Sequence, residues 1–481
     1  MNKSNGELIV SIYAKKMYYV SIKCGGGKTH LIIKTINANP SKHYLVVVPS
    51  KQLQSQYYNS LGFGLIMNHE THENLLESTS NELIQRNERV LFITDKMFYR
   101  IQPQLLKQWC VFVDDCVDYF GFQSDVIDSS DELFKGALLP AYLYANVFNI
   151  TSISDDENYV NVTLNNDVRS DVLVRIKQRY ERFQYYHQIV INSTAFSDDN
   201  CRRLFIIGYY DLEQYVNNGV EIVYFANAFE STLIYKKYSH LFEEYNHDLV
   251  PNDTNNQRLT VKYFAKNNAL SSTRLKAERD KTNNMMSRIG EYINANENVP
   301  VLWTCNEAYK RYWNITGEYI TPCQRGMNHL QHHTVAACMV SMKVDDAMSK
   351  HIEAVLGHTY EDMVHQYEYE AINQFVYRTN LRNYQSNSGV TLYVFDKNQA
   401  YSIEGAGSYE YIDVGVDAVL NRAGRPASEL PAKLRNASRK WVRTKERTMI
   451  DITKYVKKMA DKYSLDEAQK TLLLDKLKEG A

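Results

Sequence analysis

The residues Cys24-Gly25-Gly26-Gly27-Lys28-Thr29 put three glycines, an ammonium and a hydroxyl into one short run. Glycines let successive backbone N–H groups converge on phosphate oxygens with no Cβ in the way. A lysine following them can reach the outer phosphates, and the Thr29 hydroxyl can ligate a divalent cation. Further along, four apolar residues, Cys110-Val111-Phe112-Val113, run into the paired acids Asp114 and Asp115. One carboxylate there can hold a metal ion and its neighbour can orient a water. Later still, Gln374, Arg378 and Arg382 follow each other at intervals of four residues. On a continuous helix this spacing gives one polar, cationic face, and guanidinium groups stabilise charge on a phosphoryl group in transfer. Together these side chains suit binding and hydrolysis of a nucleoside triphosphate.

Such groups need rigid elements to aim them. Tyr18–Ile22 alternates like a short strand and His30–Ile36 like a helix, so the glycine loop sits between strand and helix. That is the context a Walker A loop requires, with the helix N-terminus adding partial positive charge. The full pattern places a Gly where this chain has Ile22, so only the shorter core matches. Gly25, Gly26, Gly27, Lys28 and Thr29 are read as the nucleotide-binding set, and Thr29 with Asp114 as the magnesium ligands. Tyr44–Val48 and Val90–Thr94 read as further buried strands of a parallel sheet.

In this order the motifs resemble those of superfamily 2 helicases of the phage and virus type. Pro49-Ser50-Lys51 with Leu53 and Gln56 looks like motif Ia, and Val90–Asp95 with Met97 and Phe98 looks like motif Ib. Ser193-Thr194-Ala195, after the strand Ile189–Asn192, resembles motif III. Val299–Thr304 resembles motif IV, and Arg325-Gly326-Met327-Asn328 looks like motif V. Gln374, Arg378 and Arg382 resemble motif VI, the last arginine standing one place later than in the family. The resemblance implies an α/β fold of two tandem RecA-like domains with parallel sheets and ATP and magnesium in the cleft between them. It implies Lys28, Asp114, Asp115, Gln374, Arg378 and Arg382 as catalytic groups and Gly326 as a nucleotide contact. Pro49, Ser50, Thr94 and Arg325 are implied as nucleic-acid contacts. Asp115 departs from the family, which has Glu there, and the shorter side chain puts the hydrolysis rate in question.

Composition narrows the class. The chain has 481 residues, which suggests two or three domains. Its net charge of −1 excludes a wholly basic nucleic-acid binder, so binding must come from local patches. The strongest patch is 421–460, with 12 Lys or Arg against Glu429, Glu446 and Asp451. Arg439, Lys440, Trp441 and Arg443 there interleave cations with an aromatic ring, suited to phosphate contact and base stacking. Helices over 450–461 and 465–477 are expected to pair, the second opened by a Ser464/Glu467 capping box. The 7 cysteines are odd in number and form no CxxC pair, which argues for a reducing interior and against a zinc site. His329, His332 and His333 are read as no metal site, because no paired Cys or acidic spacing accompanies them. No run of apolar residues suits a membrane helix, and MNKSNGELIV lacks the apolar core of a signal peptide.

The expected organisation is residues 1–205 as the first RecA-like domain with an insertion at 118–192, 206–410 as the second, and 411–481 as a small basic helical domain. The expected activity is an ATP-dependent helicase in the replication of a phage, virus or mobile element. Single-stranded DNA is favoured over RNA as partner, with replication proteins as further partners, no membrane association, and a soluble intracellular location. A translocase that separates no strands, and a nucleotide-gated binding or scaffold protein that does not hydrolyse ATP, remain as alternatives.

Overall fold

Alternation along the apolar strands decides the layering. In His43–Val48, Tyr44, Val46 and Val48 enter one apolar cluster with Leu31, Ile32 and Ile36, while Leu45 and Val47 enter another on the opposite face. Trp109–Asp114 behaves likewise: Cys110 and Phe112 face one cluster, Val111 and Val113 the other. A strand apolar on both faces must be covered on both faces, which is the condition of a parallel sheet between helices. The computed structural model describes residues 16–70, 72–126, 140–154, 157–197, 203–245, 247, 253–279, 281–322, 329–417, 449–463, 470, 471, 473, 474 and 477.

The first lobe is built on a seven-stranded, all-parallel sheet. Across the sheet the strands run 242–244, 17–21, 221–226, 109–114, 43–48, 90–94 and 65–66. The second lobe carries a six-stranded sheet, also all parallel, in the order 317–319, 301–305, 335–339, 390–396, 259–265 and 408–411. Its two faces are again divided by period two: Trp303, Ala337, Met339 and Phe395 on one side, Leu302, Ala336, Cys338 and Val394 on the other. The α/β architecture of two RecA-like lobes expected from the sequence is therefore present.

Inserted within the first lobe, between its strands 109–114 and 221–226, is a five-stranded antiparallel sheet, ordered 120–126, 203–209, 188–192, 159–164 and 148–153, with its own apolar core around Tyr180, Phe183 and Ile191. This corrects three expectations. The insertion does not stop at 192, because its strand 203–209 pairs along its length with 120–126. The first lobe does not end at 205, because its sheet needs the later strands 221–226 and 242–244. The strand before Ser193-Thr194-Ala195 belongs to the antiparallel sheet rather than the seven-stranded one. Hydrophobic pattern marks a strand, but not which sheet takes it.

The chain's second unit, 417–481, contains the helix Met449–Tyr463. Ile452, Val456, Met459 and Ala460 on that helix pack with Leu473 and Leu477; Ser464 and Glu467 of the expected capping box lie outside the described residues. Arg439, Lys440, Trp441 and Arg443 lie outside the described residues, as do Arg325 and Gly326.

Gly290 lies inside the helix Met285–Asn296, where a Cβ would come 1.7 Å from the carbonyl oxygen of Trp313. Helix propensity alone would make Gly290→Ala stabilising by about 1 kcal/mol. Because the obstructing atom is backbone, the substitution is expected instead to destabilise by roughly 1–3 kcal/mol, read as a lower urea midpoint.

Candidate active site

The glycine loop follows the strand Met17–Ser21 and opens the helix Lys28–Ala38, as expected. Gly25 and Gly27 take φ of 80° and 93°, backbone angles that L side chains rarely adopt. Gly26 is required for a different reason: a Cβ there would lie 2.9 Å from Ile22 Cγ2 and 3.0 Å from the Lys23 carbonyl oxygen. The loop leaves Lys28 7% exposed, with its Nζ 2.7 Å from Asp115 Oδ1. Burial acts to lower the ammonium pKa, but the carboxylates of Asp115 and Asp114 outweigh it and hold Lys28 above the usual lysine range.

Asp114 ends the buried strand Trp109–Asp114 and is itself buried. Its Oδ2 accepts a 2.7 Å hydrogen bond from the Tyr57 hydroxyl, which also interacts with Thr29. Burial and the neighbouring Asp114 carboxylate push the Tyr57 phenol well above its ordinary range, so it stays a donor. Thr29 hydroxyl, Tyr57 hydroxyl and Asp114 carboxylate thus form one all-oxygen cluster beside the loop. The Thr29 hydroxyl and the Asp114 carboxylate are oxygen groups that could hold a magnesium ion, with the Tyr57 hydroxyl orienting the carboxylate. Asp115 sits at φ 54° with its N–H donating to Phe225 O at 2.8 Å. The left-handed turn is uncommon outside glycine but tolerated by Asp, and the Asp115 side chain leaves it to meet Lys28.

The second lobe supplies the other wall. A cleft of about 580 Å³ is lined by Gly25, Gly27, Lys28, Thr29, Asp114 and Asp115 on one side and by Gln374, Arg378 and Arg382 on the other. The expected single helix through these last three residues is not present. The helical stretch starting at Tyr360, behind a Thr359/Asp362 capping box, ends at Val376, and a separate 3₁₀ turn covers Asn380–Arg382. Thr379 makes the break: its hydroxyl donates to Val376 O and accepts from Leu381 N, competing with helical bonding. The three side chains reach the same cleft through a bend instead of a straight face.

Five residues were not legible as site residues from sequence. Tyr57 is one. Tyr384 donates its hydroxyl to the Cys24 carbonyl at 3.4 Å and would strike a Cβ at Gly25, so the second lobe touches the loop itself. Cys24 packs against the second lobe's core, and burial pushes its thiol up to about 12. Asn227 follows the strand Glu221–Ala226, which lies between the loop strand and the acid strand. The Ala226-Asn227-Ala228 turn therefore stands at a cleft at the end of that strand, whereas Ser193-Thr194-Ala195 follows a strand of the antiparallel sheet. Glu370 accepts from Asn227 Nδ2 at 2.8 Å and from Gln374 Nε2 at 3.0 Å, tying the two lobes together. Its position four residues before Gln374 was the one available signal.

Pro49 and Ser50 line a second cleft of about 550 Å³ that continues past Asp95, Asp115, Asp118 and Glu370. The Ser50 hydroxyl caps the helix Lys51–Leu61 by accepting from Leu53 N. Thr94 stands at the start of the short helix Asp95–Phe98. The acidic lining suits a cation or an amide better than a phosphate backbone, so Pro49 and Ser50 are not gathered into a basic track there.

The comparisons with known proteins can be set beside this geometry. A family model described as the res subunit of type III restriction enzymes matches residues 6–120, the part carrying the glycine loop and the paired acids. No curated protein matches the chain. Among solved structures, an apo XPD is similar at 12% identity over 83% of this chain and 98% of its own, with a TM-score of 0.46. Xpd4 of S. tokodaii is similar at 11% over 82% and 96%, TM-score 0.45. An XPD helicase is similar at 10% over 80% and 93%, TM-score 0.42. At these values the likeness adds nothing to the sheet topology, on which the fold rests.

Burial raises the carboxyl pKa of Glu370 above its ordinary 4.5, and the hydrogen bonds from Asn227 and Gln374 only partly oppose this. A raised acid pKa stabilises the fold fully below the unfolded value and loses that contribution as pH rises through the folded one. Glu370→Gln, which cannot ionise, is therefore expected to exceed the wild type in urea midpoint at about pH 8, with the difference shrinking toward about pH 4. Equal differences at both pH values would show that the carboxyl is not shifted.

Proposed function

We propose that this chain is an ATP-dependent motor of the helicase type that acts on nucleic acid. The observation carrying the proposal is the cleft in which Lys28, Thr29, Asp114 and Asp115 of one lobe face Gln374, Arg378 and Arg382 of the other. Backbone N–H groups of the loop and Lys28 bind the phosphates, and Thr29 and Asp114 hold magnesium, which when bound neutralises phosphate charge. A triphosphate competes with Asp115 for Lys28, so binding frees the Asp115 carboxylate to orient a water toward the γ-phosphorus. Arg378 and Arg382 then stabilise the charge that develops on the transferred group. Because both lobes hold the same ligand, its hydrolysis alters their relative stability, which is how such a motor steps along a strand.

Single-stranded DNA is the proposed track, gripped in part by the basic stretch around Arg439, Lys440, Trp441 and Arg443, with Arg325 as a further contact. Replication of a phage, virus or mobile element, together with other replication proteins, is the proposed setting. Translocation without strand separation is distinguished on a forked duplex. The reading of a nucleotide-gated binding protein has one observation in its favour, the shorter Asp115 held by Lys28. Under that reading Asp115→Glu creates turnover in a chain otherwise inert.

The test is ATP hydrolysis by the full chain with magnesium, with and without single-stranded DNA or RNA. Hydrolysis stimulated by DNA is expected, abolished in Lys28→Ala and reduced by about 10³-fold or more in Arg378→Ala with nucleotide binding retained. Magnesium-dependent ATP binding with no hydrolysis on either polymer would overturn the motor reading.

A further inference from the structure

Away from the nucleotide cleft, the second lobe brings together two imidazoles and a carboxylate that lie apart in the chain. Glu318 sits on the edge strand Gly317–Tyr319, and His332 and His333 lie just before the strand Val335–Met339. One donor atom from each of the three lies within 4.8 Å of the others. His333 is 4% exposed, and its Nε2 stands 2.9 Å from Glu318 Oε2. None of these residues lines the nucleotide cleft.

The second ring nitrogens are the informative atoms. His332 Nδ1 lies 3.1 Å from the His329 carbonyl oxygen, and His333 Nδ1 lies 3.2 Å from that of Pro300. A carbonyl only accepts, so each Nδ1 carries the proton, and a neutral ring is left with its lone pair on Nε2. This is how metal-binding histidines are commonly oriented, with the far nitrogen donating to a backbone carbonyl or carboxylate. At His333 the Nε2 lone pair then faces a carboxylate oxygen, an arrangement that requires a cation between them or a second proton on the ring. The backbone around the site is fixed independently. Asn380 N donates to His333 O and Asn380 Nδ2 to Gln331 O, holding the turn. Gly317 lets the edge strand approach: a Cβ there would lie 2.1 Å from Val301 O.

We infer that Glu318, His332 and His333 form a binding site for a divalent transition-metal ion of the zinc class. Two imidazole nitrogens favour such an ion over magnesium or calcium, which take all-oxygen sets. Ligands on one zinc ion stand roughly 3–3.5 Å apart, given bonds of about 2.0–2.2 Å. The His333–Glu318 pair is close to that separation, and a small shift of the exposed His332 side chain that keeps its Nδ1 on the His329 carbonyl brings in the third vertex. Water completes the coordination. The ion clips the edge strand to the turn before Val335–Met339.

The test uses the full chain, stripped with chelator and held in excess magnesium so that the Thr29/Asp114 site does not compete. Zinc is titrated against a chromogenic chelator, and cobalt is added separately for its visible spectrum. One zinc per chain is expected, with affinity falling at least about ten-fold in both His332→Ala and Glu318→Gln. These side chains are solvent-exposed enough for the fold to survive, which unchanged metal-free melting of each variant would verify. The wild type's melting temperature is expected to rise with zinc and the variants' to rise less. A thiolate-to-cobalt charge-transfer band, binding unaltered in both variants, or no zinc binding against the chelator would each overturn the site. Failure here leaves the nucleotide reading untouched, since ATP hydrolysis is measured without zinc.

Discussion

An ammonium removed from water needs a counter-charge, and the candidate active site is arranged around that requirement. Lys28 is nearly buried, with Asp115 at 2.7 Å. Its partner does not come from a neighbouring strand. The loop strand and the acid strand are separated by Glu221–Ala226, and Asp115 reaches Lys28 only because its backbone turns left-handed while bonded to Phe225. Parallel strands make this geometry available, since their ends lie along one edge of the sheet where loops can gather charged groups. The interior of the sheet is apolar on both faces, so charge can collect only at such ends.

The second lobe meets this edge in two chemically different ways. Around the loop its contacts are polar or aromatic: Tyr384 against Cys24 and Gly25, Glu370 against Asn227, and Arg378 and Arg382 along the cleft. Farther off, apolar contact is added to polar pairs such as Lys236–Asp362 and Tyr119–His358. Met348, Ile352 and Leu356 on the helix Asp346–Leu356 and Met363 on the next helix join the first lobe's core, although both helices lie between strands of the second. Burying these side chains favours keeping the lobes attached, while the polar contacts at the cleft can exchange for a ligand's. A ligand that touches Lys28 and Arg378 together therefore acts on the spacing of the lobes by differential contact alone.

The antiparallel insertion participates in the same attachment. Arg203 pairs with Asp345, Tyr159 bonds His351, and Phe205 stacks on His351 with ring centroids 3.7 Å apart. These residues put the insertion against the start of the helix that carries Met348 and Ile352. Burial lowers the His351 pKa, with the Arg203 cation acting in the same direction, so this ring stays neutral and able to stack at physiological pH. The insertion is thus in contact with the second lobe as well as continuous with the first.

Local chemistry was legible in the sequence wherever a side chain's type and its immediate neighbours suffice. Three glycines before Lys28 and Thr29 specify a phosphate loop because backbone freedom is a local property. The run Cys110–Val113 before Asp114 specifies a doubly buried strand ending in charge. The unbroken apolar run Tyr44–Val48, buried throughout, pointed to a strand covered on both faces, as in a parallel sheet between helices. Long-range pairing was not legible. Which strand stands between the loop and the acids, whether 203–209 returns to the insertion, and how Gln374, Arg378 and Arg382 share a cleft across a broken helix all depend on contacts between distant segments. Tyr57 and Asn227 are ordinary residues until the fold sets them beside Asp114 and Glu370. The same holds for His332 and His333, which have no acidic neighbour at any telling spacing in the chain until the edge strand brings Glu318 within reach. The sequence by itself determined the chemistry of the loop and the class of the sheet, since these follow from covalent neighbours and unbroken apolar runs. Tertiary structure decided the partners, since hydrogen bonds and ion pairs depend on distances in space that chain spacing does not encode.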